Sequence, residues 1–165
     1  MNTDLESGMQ LAGQIVDGLQ QSNQCDVVIF PPFPYLQAIE TVIADSSIWL
    51  GGQDVWQQPT GAFTGEVSNS MLLDVGCTFV LAGHSERRHI IGETNELIHQ
   101  KVVSALAAGL QVILCVGETQ DERNAGETMN IVLSQVSSGL NGIIFKVTIY
   151  LKLYGCIYNL KYINE

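Results

Sequence analysis

The stretch FVLAGHSERR, running from Phe79 to Arg88, decides how the rest of the chain is read. Its first half, Phe79-Val80-Leu81-Ala82-Gly83, is continuously apolar rather than alternating, the pattern of a parallel strand buried on both faces. Its second half turns polar at once, beginning with His84. In parallel α/β folds ligands collect at the carboxyl ends of the strands, so a histidine directly past such an end is a candidate site residue by position.

Working outward, three further runs repeat the pattern: CDVVIF from Cys25, IWLGG from Ile48 and VILCVG from Val112. Pro31, Pro32 and Pro34 close the first of these, and Pro34 suits the first position of a helix that carries Leu36, Ile39 and Ile43 on one face. The chain itself opens with a helical stripe of Leu5, Met9, Ala12, Val16 and Leu19, for which Thr3 and Glu6 supply a capping box. A further helix is predicted before VILCVG, with Ile98, Val102 and Leu106 in line, Val103 and Ala107 beside them, and Gly109 as its stop. Strand starts near 26, 48, 79 and 112 fall 22 to 33 residues apart, about the length of a strand-helix unit. This predicts an α/β fold with a parallel sheet, and periodicity leaves open whether that sheet closes into a barrel or is doubly wound. No GxGxxG or Walker A pattern follows any of the strands, which disfavours nucleotide-binding versions of the open sheet.

The end of the sequence changes style. After a helical stripe of Val132, Val136 and Leu140, the stretch FKVTIYLKLY alternates, with Val147, Ile149, Leu151 and Leu153 set against Lys146, Thr148, Tyr150 and Lys152. Alternation suits a strand with one wet face. Residues 1–143 are therefore expected to form one domain, and 144–165 a tail of different character that could add an edge strand.

Composition narrows the partners. The 165 residues are 46% hydrophobic and 15% charged, which fits a globular chain, and 17 acidic against 7 basic residues give a net charge of -10. No basic run interrupts that field, so neither nucleic acid nor an anionic membrane is expected as a partner. Cys25, Cys77, Cys115 and Cys156 are irregularly spaced without a CxxC pair, which fits reduced thiols in a cytoplasmic protein better than disulfides or structural zinc. The opening MNTDLESGMQ lacks the features of a signal peptide, and no apolar run approaches the roughly 20 residues of a membrane span.

At His84 itself, Ser85 is placed to cap a short helical turn whose free backbone N–H groups lie against the imidazole and disfavour a second proton. A neutral, donating histidine fixed in a dry site can stabilise an oxyanion as charge develops. Glu86 stands beside it in the same turn. The same residues also fit a bland reading, in which His84 ends a strand, Ser85 caps and Glu86 complements the dipole.

Taken together, GGQDVWQQPTGAFTGEVS (51–68), VLAGHSERR (80–88), VILCVGET (112–119) and ERNAGET (122–128) resemble the triosephosphate isomerase family, in order and at family spacing, from about residue 3 to about 143. That family is itself a known case of a neutral histidine polarising a carbonyl, so the electrostatic reading of His84 is not independent of the resemblance. The resemblance implies part of a (β/α)8 barrel, from its first helix through its fifth, with parallel strands two to five. It implies interconversion of dihydroxyacetone phosphate and glyceraldehyde 3-phosphate through an enediolate, a step of glycolysis and gluconeogenesis, without cofactor or metal. His84 would be the electrophile, with Ser85 and Glu86 in support. Residues 53–68 would form a loop inserted into a second subunit of a homodimer, with Thr64 at the tip among the interface residues Gln53, Gly65 and Glu66. Composition alone would make this an ordinary glycine-rich surface loop. Cys115 matches the family's buried cysteine, where packing is the expected role, and Arg87 and Arg88 would serve ion pairs or the interface, a solvated face being the alternative for Arg88.

The sequence also departs from the family pattern. The family's first strand, whose Asn-x-Lys segment supplies the substrate lysine, has no counterpart before the opening helix, and residues from about 144 onward match neither the strand bearing the base glutamate nor the lid and phosphate loops. Glu165 stands in an unrelated context. The 165 residues alone are thus expected to turn over little substrate, because such groups act together. The alternatives are a non-enzymatic chain that binds a complete subunit through the 53–68 loop, and a different sugar-phosphate enzyme, the latter disfavoured by GAFTGE and AGHSERR occurring together.

Overall fold

The computed structural model describes residues 2–19, 26–143, 147–153 and 156–162. Its sheet contains β1 (Val27–Ile29), β2 (Ile48–Gly52), β3 (Phe79–Ala82), β4 (Gln111–Val116), β5 (Val147–Leu153) and β6 (Cys156–Tyr162), laid side by side in chain order. β1 to β4 each pair in parallel with the next, and β6 returns antiparallel along β5. A doubly wound sheet would reverse its strand order at a switch point. Here no reversal occurs among the described strands, so the chain winds in one direction and forms part of a (β/α)8 barrel, as the resemblance implies.

Helices α1 (Leu5–Leu19), α2 (Leu36–Ile43), α3 (Asn69–Asp74), α4 (Asn95–Ala107), α5 (Gln120–Asn124) and α6 (Thr128–Gly139) connect the strands. Ile48 and Leu50 of β2, Val80 and Ala82 of β3, and Val112, Leu114 and Val116 of β4 form the sheet side of the core. Against them pack Ala12, Ile39, Leu72, Ile98, Val102 and Ala105 from the helices. Each fully buried Val, Leu or Ile contributes about 1.5–3 kcal/mol, so this layer carries the fold.

Several expectations shift in detail. Burial on both faces fails at β2, where Trp49 remains 44% exposed and meets Phe79 at a ring-centroid distance of 6.2 Å. Successive strand residues point to opposite faces, and the helical core described above engages Ile48 and Leu50, the neighbours of Trp49. The cap of α1 also lies one residue later than Thr3 and Glu6. Asp4 Oδ1 accepts the Ser7 N–H at 2.9 Å while Ser7 Oγ accepts the Asp4 N–H at 3.1 Å, and the bonds from Ser7 hold the Asp4 carboxyl below its ordinary value. On α4 the expected line of Ile98, Val102 and Leu106 does face the core, but it is flanked by buried Lys101 and Ala105, while Val103 and Ala107 on the other side are exposed. Gly109 does end it: φ is 92° and its N–H donates to the Leu106 carbonyl at 3.1 Å. Helix α3 was not legible because six residues are too few to show a period, although Ser68 caps it by accepting the Met71 N–H. Cys25 lies outside the described residues.

Candidate functional site

The site is built where β3 stops. Gly83 follows with φ 74°, a conformation glycine adopts without the steric penalty of a Cβ, and a helical turn opens at Ser85 before running into a π turn over Arg87–Ile91. His84 therefore occupies the position before the helical turn, and the Arg88 N–H donates to its carbonyl at 3.0 Å. The cap is His84 itself rather than Ser85: the Glu86 N–H points at His84 Nδ1 at 3.4 Å, as a capping side chain accepts from the second residue of a helix. Ser85 is the first residue of the turn.

Two contacts at Nδ1 make opposite demands. The backbone N–H of Glu86 requires a bare Nδ1, whereas the Glu86 Oε2 carboxylate, 3.7 Å from the same atom, would favour a proton there. Geometry decides for the N–H, because 3.7 Å exceeds hydrogen-bond range and the Glu86 side chain is 75% exposed. An imidazole bare at Nδ1 and neutral carries its proton on Nε2 and presents it as a donor.

Arg87 points the other way, into a cluster that sequence reasoning did not find. Its Nη2 meets Asp54 Oδ2 at 2.9 Å and its Nε meets Glu93 Oε1 at 2.7 Å. Lys101 Nζ, wholly buried on α4, donates to both Asp54 oxygens at 2.8 and 2.7 Å and to Glu93 Oε1. Two cations and two carboxylates thus neutralise one another beneath the strand ends. Burial raises the Asp54 carboxyl above its ordinary value, and the Lys101 charge and hydrogen bonds pull against it. The signal was present: a lysine stood at the i+3 position of an otherwise apolar helix stripe, where only a paired charge is tolerated.

Asp54 also anchors the base of the 53–68 loop. Gln53 Nε2 donates to the Phe30 carbonyl at 2.9 Å, the Trp56 N–H donates to the Val67 carbonyl at 2.8 Å, and the Trp56 and Phe63 rings meet tilted at 47° with centroids 5.2 Å apart. Thr64, Gly65 and Glu66 form an exposed tip, and no hydrogen bond or ion pair among the described residues joins that tip to His84, Ser85 or Glu86. Arg88 belongs to no solvated face; it is half-buried, with acceptors at Gly83 just past β3, on β4 and on α4. Burial lowers its guanidinium, opposed by Cys115 and Glu93, but an arginine stays charged. Cys115 is half-buried on β4, while Cys77, at the opposite end of β3, is buried and its thiol is pushed up to about 11 by desolvation. Just beyond β4, burial pushes the Glu118 carboxyl up, but hydrogen bonds from its backbone, Arg123 and Thr128 outweigh this and hold it below the ordinary value. Among the described residues no group of His, Cys, Asp and Glu is placed to hold a metal ion, and no helix is long and apolar enough to cross a membrane.

Residues 1–149 match the family model described as triosephosphate isomerase. The triosephosphate isomerase of Prosthecochloris aestuarii is 46% identical over 144 residues, covering 87% of this chain and 57% of that protein. That of Rhodopirellula baltica is 43% identical over 143 residues, covering 87% and 56%, and that of Herminiimonas arsenicoxydans 51% over 119 residues, covering 72% and 48%. The chain spans about half the length of these relatives. A singly wound parallel sheet, a histidine capping the turn past its third strand and these identities have one common explanation: the chain belongs to the triosephosphate isomerase family.

Proposed function

We propose that the chain carries the electrophilic part of an aldose-ketose isomerase site that interconverts dihydroxyacetone phosphate and glyceraldehyde 3-phosphate in the cytoplasm. The observation that carries this reading is the Glu86 N–H at His84 Nδ1, which leaves Nε2 as a proton donor at the end of β3. A triose phosphate carbonyl placed against Nε2 would be polarised, and the developing enediolate oxygen held, by a neutral donor that costs little to reorganise. Ser85 continues the turn, and Glu86 supplies the N–H that fixes the tautomer.

Proton removal from carbon requires a base, and charge balance requires a cation near the oxygens. Lys101 cannot serve as that cation because it is fully buried and engaged by Asp54 and Glu93. Because the groups of such a site act together, the 165 residues alone are proposed to have little turnover. Docking to a complete subunit is the second reading, favoured by the exposed tip at Thr64, Gly65 and Glu66 and by the exposed side chains of Phe63, Ile90 and Ile91.

A coupled isomerase assay on the purified chain tests both readings, run alone and with a complete triosephosphate isomerase subunit, with His84→Gln as control and gel filtration in parallel. No turnover alone, with co-elution, supports the docking reading. Turnover that His84→Gln abolishes would overturn the proposed inactivity while keeping His84 as electrophile. Turnover that survives His84→Gln would remove His84 from the mechanism.

A further inference from the structure

Arg88 holds His84 from both sides. Its Nε donates to the Gly83 carbonyl at 2.7 Å, so it fixes the rotation of the peptide plane that leads into His84. Its own backbone N–H donates to the His84 carbonyl at 3.0 Å, which fixes the peptide leading out. With both planes pinned, the His84 Cα–Cβ bond has one direction available. The remaining guanidinium nitrogens tie this arrangement to its surroundings: Nη2 donates to the Cys115 carbonyl at 3.0 Å and Nη1 to Asn95 Oδ1 at 2.6 Å. The planar fork therefore spans the end of β3, the adjacent strand β4 and the start of α4, a geometry that a lysine ammonium cannot reproduce.

Gly83 completes the device. A Cβ at this position would lie 2.7 Å from Arg88 Nη2, and φ is 74° there, so the guanidinium fills the volume that any other side chain would claim.

We propose that Arg88 is a positioning residue for His84, setting the aim and tautomer of the imidazole through the Gly83–His84 peptide without touching substrate. This rests on reading His84 as the electrophile. The test is 15N–1H long-range correlation of the His84 ring in the full 165-residue chain and in Arg88→Lys and Asn95→Ala, with circular dichroism to establish that each is folded. The wild-type ring is expected to show one neutral tautomer, bare at Nδ1. In Arg88→Lys the two ring nitrogens are expected to move toward a common averaged shift, and in Asn95→Ala, which removes one of the three acceptors of the Arg88 guanidinium, to move part of the way. A folded Arg88→Lys chain with the wild-type ring shifts would overturn the proposal. Loss of the fold in both variants would make Arg88 a structural group and also overturn it. A wild-type ring already averaged between tautomers would instead sink the reading of His84 on which the proposal rests.

Discussion

His84 and Glu86 stand 3.7 Å apart with Glu86 largely in solvent, whereas Arg87, between Glu86 and Arg88 in the same turn, reaches into a buried cluster with Asp54, Glu93 and Lys101. Each group sets carboxylate beside nitrogen. Depth separates their uses. In the cluster every charge is held by an opposite charge within hydrogen-bond distance, so it fastens the loop after β2, the turn after β3 and helix α4 to one another. Among the described residues the hydrogen-bond and ion-pair contacts of the His84 ring are to its own turn, on Nδ1, and none engages Nε2. The strand end is thus divided into a layer that supplies rigidity and an outer layer to which the proposed reactivity is assigned.

The sharpest way to break this contrast is Lys101→Met. Asp54 would keep only Arg87 as a cationic partner, and breaking a buried pair in this way costs about 3–5 kcal/mol. Urea unfolding should show the midpoint falling accordingly; a shift as small as that of an exposed lysine would mean that the cluster is no fastening. Gly83→Ala comes next, because an L residue at φ 74° carries a cost of about 1–2 kcal/mol before Arg88 is displaced. A thermal midpoint unchanged from wild type would show that the turn relaxes without that conformation.

The far end of β3 offers a pH test. With the Cys77 thiol raised to about 11, the unfolded chain loses this proton before the native one does. Its contribution to stability is therefore complete below the ordinary thiol range and is lost as pH rises toward 11, roughly 1 kcal/mol having gone by pH 9.5. Comparing urea midpoints of wild type and Cys77→Ala between pH 8 and 10 should reveal this slope in the wild type alone. The smallest effects are expected at the outer layer: Glu86→Gln should change stability by less than about 0.5 kcal/mol, as exposed positions do, and His84→Gln by about 0.5–1 kcal/mol, the low end of the loss of a cap. A loss comparable with Lys101→Met would place His84 in the structural layer instead.

Much of this was legible in one dimension. The strands at 48–52 and 79–83 announced themselves by continuous apolar runs, and His84 by its place after one of them. The buried cluster was not, because Asp54, Arg87, Glu93 and Lys101 come from four separate places in the sequence and pairing across 47 residues leaves no local period. Nor was the cap assignable, since Ser85 and His84 differ by one residue and only the backbone shows whose side chain meets the Glu86 N–H.

The sequence by itself determined the family and the parallel α/β character of the chain, because apolar periodicity and short contiguous blocks such as AGHSERR are local properties. Tertiary structure alone decided that the strands follow one another without reversal, that Lys101 is a fastening rather than a substrate cation, and that His84 caps its own turn. Strand order, burial and the direction of a hydrogen bond depend on segments distant in sequence meeting in space, and no single stretch of the chain encodes such a meeting.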